Sequence, residues 1–108
     1  MIKVEVNLNK AGMIIGYKVS GHAGYAEEGQ DIICSAISAV TQAPLLGFEG
    51  HLHIKPSVEI NQKDGVLKVA LNNEPNDMTE AILQTMKLAC ESIARQCPEY
   101  VHILEHRR

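Results

Sequence analysis

Asp31-Ile32-Ile33-Cys34-Ser35-Ala36-Ile37-Ser38-Ala39-Val40-Thr41-Gln42-Ala43-Pro44-Leu45-Leu46-Gly47-Phe48 carries no charge after its first residue. Asp31 is a favoured helix N-cap, which places Ile32 to Cys34 in the first turn. The helix is expected to run to about Gln42. Pro44 must kink or end it, because proline lacks the N–H and crowds the carbonyl four residues back. Leu45 to Phe48 adds a further turn, and Gly47 or Gly50 stops it. A helix with no charged face is buried on more than one side. Helix one is therefore expected to be deeply buried, covered by two layers or by a second subunit. Pro44 and the many small or polar residues make the same run a poor membrane span.

Upstream, Ile2, Val4, Val6 and Leu8 alternate with polar residues, the pattern of a half-buried strand and not of a signal peptide. Asn9-Lys10-Ala11-Gly12 is a turn, and Met13 to Ser20 a second strand. Gly21 to Gln30 holds three glycines and the pair Glu27-Glu28, and reads as a loop. Downstream, His51 to Ile54 reads as an extended lead-in. Val58 to Ile60 and Val66 to Leu71 flank Asp64-Gly65, the clearest hairpin signal in the chain. Asp77 can cap a second helix, with Glu80 as its reciprocal partner. Ile82, Met86, Ala89, Cys90, Ile93 and Cys97 recur there at helical spacing, and Pro98 stops it. Tyr100 to His106 is a last strand. The expectation is one α+β domain over residues 1–108 in ββαββαβ order. Antiparallel strands pack on two helices, with helix one between a three-stranded and a two-stranded sheet.

Composition narrows the function. The chain has 108 residues, 45% hydrophobic and 21% charged, with net charge −3. That composition folds as a globule and can bury a single core. An acidic chain with no Lys/Arg cluster before Arg107-Arg108 is a poor match to phosphate backbones, so direct nucleic-acid binding is not expected. Three cysteines, an odd number, point to free thiols in a reducing cytoplasm. Cys90 and Cys97 sit on the apolar stripe of helix two and read as core. His51 and His53 alone are too few to make a metal site, and no Cys/His zinc spacing occurs. Neither metal nor cofactor is expected.

Cys34 is different. In the first turn of a helix, unpaired N–H groups and the positive end of the dipole favour a thiolate. His22 lies at a strand end twelve positions earlier. The glycine-rich loop between them is long enough to bring an imidazole against the sulfur, the arrangement of a base and a nucleophile. Gly21 and Gly24 let the chain move or a peptide approach, and Gly29 delivers the chain into the helix. Asp31 can be a cap or can orient His22. Ser38, one turn after Cys34, can bond the sulfur, His22 or substrate, or else the carbonyl four residues back. Tyr25 is a lid aromatic or a loop anchor.

His22-x-Gly24 followed by Gly29-x-Asp31-Ile32-Ile33-Cys34-Ser35-Ala36-x-Ser38 resembles the ribosomal-processing cysteine protease family, Prp. The resemblance extends along the whole chain, including Lys55-Pro56 before the second hairpin. It implies a bacterial endopeptidase with His22 and Cys34 as catalytic dyad. The implied substrate is the N-terminal extension of the large-subunit ribosomal protein numbered twenty-seven, cut after aromatic residues before or during ribosome assembly. A homodimer is also implied. The competing reading is a non-enzymatic ribosome-associated or RNA-binding module. Gly21-His22-Ala23-Gly24 fits its GxxG clamp, but that clamp joins two helices, and here the tetrapeptide follows a strand.

Overall fold

The structure is a computed structural model describing residues 1–21 and 30–107, with the backbone alone described for Gln30 and Asp31. The elements follow the order β1 (Ile2–Leu8), β2 (Ile14–Ser20), α1 (Gln30–Gly50), β3 (Ser57–Asn61), β4 (Val66–Ala70), α2 (Asp77–Gln96) and β5 (Val101–Arg107). The ββαββαβ order and the α+β class read from the sequence are those observed.

The two hairpins do not form separate sheets. β2 pairs antiparallel with β4, which fuses them into one five-stranded sheet of order β3-β4-β2-β1-β5. β5 lies parallel to β1, from Ile2 opposite Val101 to Leu8 opposite Arg107. The sheet is therefore mixed and not wholly antiparallel. The reason is α2: it carries the chain back along the sheet, so that β5 starts at the same end as β1, as in any crossover connection.

One face of the sheet is apolar. Ile2, Val4, Val6, Leu8, Tyr17, Val69 and Val101 are buried there with Ile37 and Phe48 of α1 and Leu83, Met86 and Cys90 of α2. The other face is hydrated. Glu59, Lys68, Lys18 and Glu5 form a row of direct partners across four strands, so opposite charges meet at both ends of the row. The two lysines are neighbours in the middle of the row, and the flanking glutamates balance them, so no basic stripe results.

Helix one departs from expectation in three ways. It begins at Gln30, so Asp31 has helical backbone and does not occupy the N-cap, which requires a non-helical one. It runs through Pro44 to Gly50 without a break. It is also not deeply buried on all sides. Ile37, Thr41, Pro44 and Phe48 form a buried stripe, but Ile32 is 74% exposed and Leu46 76% exposed. The sheet supplies one covering layer, and among the described residues no second layer lies over the outer face. By length and mean hydropathy alone Ile32–Gly50 is long and apolar enough to cross a membrane, a test that core helices also pass. Its inner stripe nevertheless packs on the sheet as a core helix does.

α2 is capped by Asn76, not Asp77. The Asn76 side chain accepts from the Met78 and Thr79 N–H groups, and Thr79 Oγ1 accepts from the Asn76 N–H, completing the capping box. Glu80 serves elsewhere: it accepts from the Ile14 N–H at 2.9 Å and tethers β2 to α2. The buried stripe is Thr79, Leu83, Met86 and Cys90, and Cys97 is the half-buried C-cap. His51 and His53 lie in the turn after α1, outside any strand, and His53 has φ +55°.

Candidate active site

The N-terminal end of α1, the end of β2, the start of β1 and the β3–β4 turn meet at one end of the molecule. They enclose a cleft of about 380 Å³. Cys34, Ile37, Ser38, Thr41 and Gln42 line one wall from a single face of α1. Ile60 to Gln62 and Gly65 to Leu67 make the opposite wall, with Ile2 and Val19 between and Gly21 at the edge. The second wall was not read as functional in the sequence. Its signal was present in the Asp64-Gly65 turn, where Gly65 adopts φ +65°, but nothing local says what that turn faces.

Cys34 is a free, half-buried thiol in this cleft. Counted from Gln30 it is the fifth residue of α1. The unpaired N–H groups of a helix are its first four, so those of α1 lie upstream of Cys34. Its own N–H falls inside the hydrogen-bond ladder and is not free to serve as an oxyanion donor.

Cys90 is chemically opposite. It is fully buried beneath the sheet, and burial, with a smaller contribution from Glu91, pushes its thiol up to about 11. Burial and the neighbouring Cys90 likewise hold the Tyr17 phenol well above its usual range. Both groups stay neutral at physiological pH and belong to the core.

Gly21 lines the cleft with φ +94°. A Cβ there would fall inside contact distance of the Met1 carbonyl oxygen, so only glycine fits both the backbone conformation and the close approach. The chain thus leaves β2 tight against the start of β1, and the next residue is His22. His22, Gly24, Tyr25 and Gly29 lie outside the described residues, as does the side chain of Asp31. Ser38 is described: its hydroxyl accepts from Gln42 and is not bonded to the carbonyl four residues back. Among the described residues, no cluster of three or more His, Cys, Asp or Glu is placed to hold a metal ion.

The family model described as Cysteine protease Prp matches residues 1–102. This chain belongs to that family. A Prp relative from Staphylococcus aureus, a ribosomal processing cysteine protease, is 27% identical over 103 residues, covering 95% of this chain and 97% of the relative. The crystal structure of Staphylococcus aureus Prp with a covalently linked product peptide superposes with TM-score 0.87 at 27% identity, covering 97% of this chain and 99% of that one. Its complex with a substrate peptide gives TM-score 0.89 at 26% identity over the same shares. Membership in Prp makes the chain a cysteine protease, a hydrolase.

Proposed function

We propose that this protein is an endopeptidase that removes the N-terminal extension of the large-subunit ribosomal protein numbered twenty-seven, with His22 and Cys34 as its catalytic pair. One observation carries the reading. Cys34 is a free thiol lining an open cleft, and the chain enters the 22–29 segment from Gly21 at the edge of the same cleft. The ribosomal-processing names of the relatives support the substrate class. The peptide covalently linked in the Staphylococcus aureus structure supports covalent chemistry.

In the mechanism, the His22 imidazole accepts the Cys34 proton and the thiolate sulfur attacks the scissile carbonyl. The C–N bond breaks as His22 returns the proton to the leaving amine, leaving a thioester. His22 then takes a proton from water, hydroxide adds to the thioester carbonyl, and the released thiolate is reprotonated. Asp31, whose helical backbone excludes the N-cap position, orients His22 in this reading. Ser38 supports the anion. Gly21, Gly24, Tyr25 and Gly29 form the substrate loop, which opens for the peptide and closes over it.

The partners are a peptide segment and a second copy of the chain, packed on the face of α1 that exposes Ile32 and Leu46. Free thiols and a ribosomal substrate support a cytoplasmic enzyme. Incubating the protein with a peptide spanning the extension and the first residues beyond it tests the reading by mass spectrometry. Cleavage at one bond is expected for the wild type and none for Cys34→Ala or His22→Ala. Retained cleavage by Cys34→Ala would sink the mechanism.

A further inference from the structure

Cys34, Ser38 and Gln42 follow one another at four-residue spacing along α1, and all three line the cleft. Gln42 Nε2 donates a 2.8 Å hydrogen bond to Ser38 Oγ. A helical hydroxyl can instead give its proton to the carbonyl four residues back. Thr41 does so, to the Ile37 carbonyl at 2.7 Å. Thr85 does so, to the Ala81 carbonyl at 2.6 Å. Ser38 does not. A hydroxyl has one proton and two lone pairs. Gln42 occupies one lone pair, which directs the proton away from the amide. Side chains on a helix lean toward its N-terminus, which directs the exposed Ser38 hydroxyl toward the turn that carries Cys34, although the two side chains form no hydrogen bond in the free chain.

We propose that Gln42 is a positioning residue: its amide orients and polarises the Ser38 hydroxyl so that Ser38 donates its proton toward the Cys34 sulfur and the anion that forms beside it. The proposal rests on the cysteine-protease reading of this cleft. It answers a need created by the helix start. The Cys34 N–H falls within the ladder, so a side chain one turn on supplies a donor at that place. A hydroxyl that accepts one hydrogen bond becomes a better donor in the next, and donation to an anion is stronger than to a neutral group.

The test pairs peptide cleavage with alkylation of Cys34 by iodoacetamide across pH, read by mass spectrometry of the Cys34 peptide. Gln42→Ala, Ser38→Ala, the double variant and Gln42→Glu are compared. Gln42 is exposed, so thermal melts of the variants are expected to match wild type. Gln42→Ala is expected to lower kcat about three- to tenfold with KM within about twofold. It is also expected to move the alkylation profile to higher pH. In the Ser38→Ala background the same change is expected to do neither. Gln42→Glu, whose carboxylate only accepts, reverses the bond and is expected to lower kcat further than Gln42→Ala, again only when Ser38 is present beyond the effect of the charge.

The proposal is overturned if Gln42→Ala leaves both readouts at wild-type values, or acts equally with and without Ser38. If the wild type cleaves no peptide but Gln42→Ala still shifts alkylation through Ser38, the positioning role stands and the protease reading falls. If cleavage depends on Cys34 and neither readout responds to Gln42, the positioning role alone falls.

Discussion

Tyr17 Oη donates a 2.6 Å hydrogen bond to the backbone carbonyl of Thr41. Tyr17 is at the centre of the sheet and Thr41 is two turns beyond Cys34 on the same helix, and both are buried. The bond fixes how α1 lies on the sheet and hence where the cleft wall stands. Tyr17→Phe keeps the ring and leaves the phenol's partner with one bond fewer. The expected cost is about 1–2 kcal/mol, which lowers Tm by roughly 4–15 °C for a domain of this size. A thermal melt by circular dichroism checks it. An unchanged Tm would show that the bond contributes nothing net.

Gly21→Ala puts a Cβ against the Met1 carbonyl at a positive φ. Backbone strain of this kind costs roughly 1–3 kcal/mol, and relief requires the chain to move where it enters the 22–29 segment. The expected outcome is a loss of kcat/KM larger than the loss of stability accounts for. Steady-state cleavage assays at a temperature well below Tm measure it. Full activity in a folded Gly21→Ala protein would show that the close approach to Met1 does not position the histidine.

Cys90 and Tyr17 set an alkaline limit. Burial raises the Cys90 thiol from the ordinary value near 9 to about 11, and raises Tyr17 as well. Each group holds its proton more tightly in the folded chain than in the unfolded one. Below about pH 9 both states are protonated and the contribution to stability is complete. Between about 9 and 11 the unfolded chain ionises first, and stability falls as pH rises. Urea denaturation at pH 7, 9 and 10.5 reads this directly. Cys90→Ala is expected to lose roughly 1 kcal/mol at pH 7 from the lost packing and to show a shallower alkaline decline. An equal decline in the variant would assign the limit to other groups.

The outward face of α1 bears on the oligomer. Leu46 is 76% exposed on a helix with no charge from Ile32 to Phe48. Leu46→Asp is expected to leave the melt of the monomer within about 0.5 kcal/mol, as surface changes do, while converting the proposed dimer to a monomer in size-exclusion chromatography with light scattering. A dimer that persists would place the interface elsewhere.

Much of the fold was legible because its signals are local. Alternation in residues 2–8, the Asp64-Gly65 turn and Pro98 each act over a few residues, and each marked an element close to its observed bounds. Caps were read less well. Asn76 precedes Asp77, both are favoured, and only the backbone geometry at Asn76 decides which one caps. Leu83 was missed in the buried stripe of α2 because the periodicity was phased on Ile82, whose side chain is only half-buried. The expectation of a deeply buried α1 followed from its missing charges, but charge patterning does not say whether the cover comes from the same chain or another.

By itself the sequence determined the order of the elements, the singular context of Cys34 and the separation of that thiol from the core cysteines. Periodicity, turn chemistry and position in a helix are written within a few consecutive residues. Only the tertiary structure decided that β2 joins β4, that β5 runs parallel to β1, and that the β3–β4 turn faces Cys34 across a cleft. It alone showed Gln42 holding the hydroxyl of Ser38. Strand partners and facing walls are chosen by which apolar faces can be buried together, a property of the whole chain that no short stretch contains.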